Sequence, residues 1–317
     1  MRSDQFTRLL IVLATASPPA DTRAPSKKGQ AKYNRAADKH DFTVFMREGG
    51  WRWFQDPRAI IRDGNLFLGS GQGNGSGPAL VGVYSLKQQR SLGTSIMLDG
   101  FDRDDHNSPV FHIRPDGSVL AVYARHGREK IHHFRISDAK APLQWSDPMT
   151  FRHDYPKAGR VTYINLLELR RVDRLYNFFR GIKFNPSFIV STDHGKSWDS
   201  PTRFIESKLE GRHRPYARYA GNETDTVHVC FTDGHPNQFG NNIYYAAFRN
   251  GKFRCADGSE IKHLQTKPPC VHPKPNSSSR AVRNGRPKDA PAPNVRPGRV
   301  PSRLMTAAIL TSPIRFT

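Results

Sequence analysis

The chain has 317 residues, room for one large domain, and 36% of them are hydrophobic, a level that suits many short strands with polar loops. Its 49 Lys and Arg against 28 Asp and Glu leave a formal net charge of +21, which points to a polyanionic partner, either nucleic acid or an acidic polysaccharide. Zinc-finger spacing, an RNP aromatic motif and a helix-turn-helix pattern are all missing, so no nucleic-acid module is expected, and no stretch reaches the apolar length of a membrane span.

In chain order, Met1 to Arg8 is basic, Leu9 to Ala16 is apolar, and Ala14-Thr15-Ala16 has the small-x-small form of a signal-peptidase site. This predicts a signal peptide over residues 1–22 and a secreted or periplasmic protein. A Lys- and Ala-rich linker is expected from there to residue 44. Beyond it helical periodicity nearly vanishes, and short alternating strands bounded by Gly, Asp, Asn and Pro take over.

Four hairpins stand out. The first is Ile60 to Leu68, turning at Asp63-Gly64. In the second, Val110, Phe111 and Ile113 lead into Arg114-Pro115-Asp116-Gly117, and Val119 to Tyr123 lead out; Pro presets φ for the turn and Gly accepts the positive φ that follows. The third turns at Val172-Asp173-Arg174, and the fourth joins Tyr216–Tyr219 to Val227–Phe231 through Gly221 to Asp225. The turns recur every 50 to 56 residues or so, about the length of a four-stranded blade with its loops, so the predicted fold is all-β, a β-propeller over residues 45–264. Ser191 to Trp198 matches the Asp-box pattern S-x-D-x-G-x-[ST]-W, and Ser137-Asp138 with Trp145 reads as a degenerate copy one blade earlier. An Asp-box marks a fold and does not imply sialic acid.

Antiparallel pairing puts the far ends of the second hairpin side by side, so His106 and His126 are expected to meet at one rim. Each could equally cap a loop. Gly69, Gly71, Gly73, Gly75 and Gly77 alternate with polar residues and read as a mobile loop rather than a phosphate cradle, because no helix follows. Trp51, Trp53 and Phe54 either stack on sugar rings or seal the first blade. His228 and Cys230 share one side of a strand, with His235 in the next turn; they read as a structural metal cluster or as a buried thiol with two satisfied histidines. Cys230, Cys255 and Cys270 are too few for a disulfide framework. From Gln265 the text turns Pro-, Arg- and Ser-rich, with ten Lys and Arg against the single acid Asp289; residues 265–317 read as a disordered basic tail or as a frame-shifted translation.

Trp51 to Ala59, Asp105-His106-Asn107-Ser108-Pro109, Tyr123-Ala124-Arg125-His126-Gly127, Arg214-Pro215-Tyr216 and Phe231 to Pro236 together resemble the BNR-repeat propellers of the BNR-4 type, a family that includes ulvan lyases and related polysaccharide lyases. The resemblance implies a seven-bladed propeller that cleaves an acidic, often sulfated, uronate-containing polysaccharide by β-elimination, without an obligatory catalytic metal. A monomer that requires no cofactor is expected, with a structural zinc or calcium ion left open. Residues 45–264 provide four to five blades at the observed period, short of seven. Carried over by motif, the resemblance assigns catalysis to His106, His126, Tyr163 and Arg180, with Arg214, Tyr216, Asn107 and Arg125 binding substrate. Two alternatives stand beside the lyase. A non-catalytic glycan-binding propeller needs no convergent site, and a sialidase-like hydrolase needs an arginine cluster with a Tyr-Glu pair that the sequence does not assemble.

Overall fold

The computed structural model describes residues 43–261 except 48, 51–53, 73–76, 103, 154–158, 207–213 and 236–240. The signal, Trp51, Trp53 and the basic tail lie outside the described residues, as does all of the linker but its last two positions. Among the described residues the only helical elements are two 3-10 turns, at Arg170–Val172 and Ile182–Phe184, and no helix is long and apolar enough to cross a membrane. The strands form four antiparallel sheets, each an up-and-down blade.

The first blade holds β1 (Gly49–Gly50), β2 (Ala59–Arg62), β3 (Asn65–Gln72), β4 (Ala79–Ser85) and β5 (Arg90–Leu98), with β1 and β2 both paired to β3. The second runs β6 (Val110–Ile113), β7 (Val119–Tyr123), β8 (Ile131–Ile136) and β9 (Met149–Arg152). The third runs β10 (Thr162–Leu169), β11 (Arg174–Arg180), β12 (Pro186–Ser191) and β13 (Thr202–Arg203). The fourth runs β14 (Ala217–Gly221), β15 (Thr226–Thr232), β16 (Ile243–Arg249), β17 (Lys252–Arg254) and β18 (Glu260–Ile261). The expected hairpins are all present. In the second, Val110 faces Val122 and Ile113 faces Val119, and Gly117 takes φ +78° as its turn requires.

Alternating side chains leave both faces of each blade apolar, so the cores lie between blades. Phe67, Val81, Val83 and Met97 pack on Phe111, Val119, Ala121 and Tyr123 between the first two. Leu120, Val122 and Phe134 pack on Ile164, Leu166, Phe179 and Ile189 between the second and third. Tyr176 and Phe178 pack on Val227, Val229, Phe231 and Phe248 between the third and fourth. Phe178 and Phe67 are fully buried, and burying such a side chain contributes about 1.5–3 kcal/mol.

Two expectations are corrected here. Gly69 and Gly71 are residues of β3, not of a loop. A side chain at Gly69 would bring its Cβ to 2.0 Å from the carbonyl oxygen of Pro109, so glycine there allows the first blade to approach the segment carrying His106. Cys255 is disulfide-bonded, while Cys230 is free and exposed; the alternative of a buried thiol at Cys230 is therefore ruled out.

The 191–198 turn is held by Asp193, whose carboxylate accepts from the Lys196 and Ser197 amides at 2.9 Å and from the Ser197 hydroxyl at 2.6 Å. Gly195 takes φ +86° in the same turn.

Candidate active site

The segment after β1 is tied to three blades. Phe111 donates its amide to Pro57 at 2.9 Å, Leu166 donates to Asp56 at 2.9 Å, and Arg218 pairs with Asp56 at 2.8 Å. These ties place Phe54 and Gln55 over the starts of β6, β10 and β14. Gln55 is buried and donates to the carbonyl of His106.

His106 and His126, at the open ends of the second hairpin, stack with ring centroids 4.0 Å apart and planes 23° apart. Between them and the backbone lies Asp104. One carboxylate oxygen meets His106 Nδ1 at 2.5 Å and the other meets His126 Nδ1 at 2.8 Å. A carboxylate can only accept, so both Nδ1 atoms carry hydrogen and, in the neutral rings, each Nε2 is the acceptor. Burial alone would raise the Asp104 carboxyl, but hydrogen bonds from the His106 amide and from both rings outweigh it and hold Asp104 below its usual range. Burial also lowers His106, against the opposing pull of Asp104.

Tyr163 completes the chain, its hydroxyl 3.0 Å from His126 Nε2. Tyr163 has φ +61° at a register shift between Thr162 and Asn165, a left-handed backbone that a bulky side chain adopts at a cost of roughly 1–3 kcal/mol. The bulge re-aims the phenol toward the hairpin of the next blade. Asn165 holds it, donating to the carbonyls of Tyr163 at 2.8 Å and Phe54 at 3.2 Å. Burial, then the neighbouring Tyr216, pushes the Tyr163 phenol far above its ordinary value, with Arg180 opposing. Tyr163 is therefore protonated throughout the neutral range.

Arg180 ends the partner strand, opposite Thr162. Its guanidinium carbon lies 4.8 Å from the Tyr216 ring centroid and 5.9 Å from that of Tyr163, and its Nε donates to the Phe184 carbonyl at 2.9 Å. Among the described residues no carboxylate pairs with it. Phe54 sits 4.6 Å from Tyr163 and 5.3 Å from Tyr216 by ring centroids. Phe54, Tyr163, Phe179, Arg180, Pro215 and Tyr216 thus line an open cleft, which combines aromatic walls with one cation and a proton-carrying chain.

The remaining expected residues sit around this centre. Arg214 donates to the Lys183 carbonyl at 3.0 Å on the cleft's outer side. Arg125 leans over the Phe101 ring at 5.4 Å and toward Glu129 at 3.7 Å. Asn107 is 2% exposed and reaches back to the Asp102 carbonyl at 3.4 Å, so it supports the histidine loop from beneath instead of facing the cleft. His228, Cys230 and His235 do not converge as a metal cluster. His228 bonds the Tyr245 hydroxyl at 2.8 Å, and His235 packs edge-on to Tyr216 at 5.0 Å. A strand's alternation placed the first two on one side, but the following turn carries His235 back to the cleft. Asp104, the acceptor shared by both rings, was not among the residues expected from the sequence; its signal was an acid two positions before His106.

Asp104, His106 and His126 also form a group with ligand atoms within 4.8 Å of one another. Their 2.5 and 2.8 Å contacts are hydrogen-bond lengths, and a cation on Asp104 would first have to displace the two ring N–H groups.

Among solved structures, an ulvan lyase of polysaccharide lyase family 25 bound to -[GlcA(1-4)Rha3S]- is similar in fold, with a TM-score of 0.58 at 16% identity, covering 70% of this chain. The same type of enzyme in a second structure gives a TM-score of 0.57 at 15% identity, again over 70% of this chain. The match spans only 59% of the length of the ulvan lyase. No curated protein matches the sequence. The profile described as BNR repeat-containing family member matches residues 73–287, more than half of the chain, and the chain belongs to that family.

Proposed function

We propose that this protein is a polysaccharide lyase acting on a uronate-containing, ulvan-like glycan, and that the cleft bearing Tyr163 and Arg180 is its active site. The observation that carries the reading is Arg180: a cation with no carboxylate partner among the described residues, set in an aromatic cleft beside the Asp104–His126–Tyr163 chain. The glycan bound by the ulvan lyase of similar fold contains glucuronate linked 1-4 to sulfated rhamnose, and a uronate carboxylate is the anion such a cation would take.

β-Elimination removes the proton on C5, forms the C4=C5 double bond and breaks the C4–O4 bond, with a proton delivered to the leaving oxygen. Removing a proton beside a carboxylate builds a second negative charge, which Arg180 offsets. His126 Nε2, its lone pair held available by the Nδ1–H bond to Asp104, is the base. Tyr163, protonated at neutral pH, is the acid for the leaving oxygen, and its contact with His126 lets the proton return between turnovers. Phe54 and Tyr216 stack on sugar faces. Neither step calls on a cofactor, and export from the cell would bring the enzyme to its substrate.

The test is incubation of purified protein with ulvan and other uronate polysaccharides, following the ultraviolet absorbance of the unsaturated uronate. A signal that disappears in Tyr163→Phe supports the lyase. Folded protein that binds these glycans without producing the signal is a binding propeller.

A further inference from the structure

We propose that His112, Glu168 and His194 form a site for one divalent transition-metal ion of the zinc type, joining the second and third blades at the end of β10 remote from Tyr163. The proposal is independent of the lyase reading.

Three ligand atoms converge there. Glu168 Oε1 lies 4.0 Å from His112 Nε2 and 3.8 Å from His194 Nδ1, and all three atoms are within 4.8 Å of one another. These separations are too long for hydrogen bonds. They are close to the ~3.3 Å edge that two ligands share on a tetrahedral ion with bonds of ~2.0 Å, so shifts of a few tenths of an ångström at each ligand would close the shell.

Two further observations point at a ligand. The His112 side chain is 6% exposed, and its Nε2 is buried with no hydrogen-bond partner among the described residues, although it faces the gap. A buried ring nitrogen left in that state is unfavourable, and metal coordination would remove the cost. His194 presents Nδ1 to the gap, and its Nε2 lies 3.6 Å from the exposed Asp173 carboxylate, longer than a hydrogen bond but near enough for that carboxylate to move in and orient the imidazole of a bound ion.

The donor set of two imidazoles and one carboxylate suits zinc and its neighbours better than calcium or magnesium, which take mainly oxygen. Water would fill a fourth position. Two cations act on these ligands, Arg114 on His112 and Arg170 on Glu168; Arg114 is engaged by the His194 carbonyl and lies 3.6 Å from Asp116, and Arg170 pairs with Glu223 at 3.2 Å. The ligands come from β6, from β10 and from the 191–198 turn, so the ion would fasten the turn of the third blade onto the second.

The experiment strips the 317-residue protein with EDTA, removes the chelator and titrates Co2+, reading the visible d–d bands of a four-coordinate site, with bound Zn2+ counted by mass spectrometry after dialysis. One equivalent is expected in wild type and in His126→Ala, and none in His194→Ala. Glu168→Gln, which preserves shape, is expected to weaken binding at least tenfold while its circular dichroism stays that of wild type. Absence of binding in wild type overturns the site, and so does one equivalent retained in His194→Ala or lost in His126→Ala.

Discussion

His126 Nε2 and the Tyr163 hydroxyl stand 3.0 Å apart although 37 residues separate them in the chain. The contact crosses from the second blade to the third, and it exists because the bulge at Tyr163 turns the phenol out of the pleat of β10. Tyr163→Phe keeps the ring in its place between Phe54 and Tyr216 and removes only the hydroxyl. Activity on uronate glycans is expected to fall by about 10²–10⁴, the usual share of a proton-transfer group, with the thermal midpoint little changed. An active Tyr163→Phe enzyme would move the acid to another residue.

Arg180 contributes charge and a planar donor face, and these can be separated. Arg180→Ala is expected to lower kcat by about 10²–10³, in the range seen when one group that stabilises developing charge is removed. Arg180→Lys keeps the charge without the fork and should recover only part of the loss. Steady-state kinetics on the same glycan distinguish this from simple binding, since equal kcat in all three with a raised KM would make Arg180 a binding residue alone.

Acid sensitivity should arise away from the cleft, at His132. It is 1% exposed, its Nδ1 lies 2.9 Å from His153 Nε2, and burial first, then His153, holds its pKa well below the ordinary histidine value. The unfolded chain protonates this ring near pH 6.5 while the native state resists it, so its contribution is fully present above that pH and is lost as pH falls toward the native value. Urea unfolding between pH 8 and pH 5 is expected to show stability declining by up to about 1.4 kcal/mol per pH unit for this group. In His132→Phe the slope should flatten; an unchanged slope would assign the effect elsewhere.

Gly69→Ala tests the approach of the first two blades. With Pro109 backbone 2.0 Å from the added Cβ, the chain must shift, at an expected cost of about 1–3 kcal/mol in denaturant unfolding. Because Pro109 follows the loop carrying His106, activity should fall by more than the lost stability explains. A neutral substitution would mean that the blades separate without disturbing the histidines.

Much of the site was legible before folding because hairpin geometry is local. Arg114-Pro115-Asp116-Gly117 sets the turn, the turn sets the register of Val110 on Val122, and the register brings His106 beside His126. Tyr163 and Arg180 were named instead by motif resemblance. Hairpin geometry did not reach Asp104 as the shared acceptor of both rings, nor the placement of Phe54, which depends on backbone bonds to two other blades.

The sequence by itself determined the strands, their turns and the blade repeat, since these rest on side-chain alternation and on the few residues that accept turn dihedrals. Only the tertiary structure decided which neighbours those strands would have. Packing of blade on blade buried Asn107, turned His235 onto Tyr216 instead of toward Cys230, and brought His112, Glu168 and His194 together. Contacts of that kind join residues with no shared turn or register, so they follow from how apolar faces fit together and carry no short-range signature.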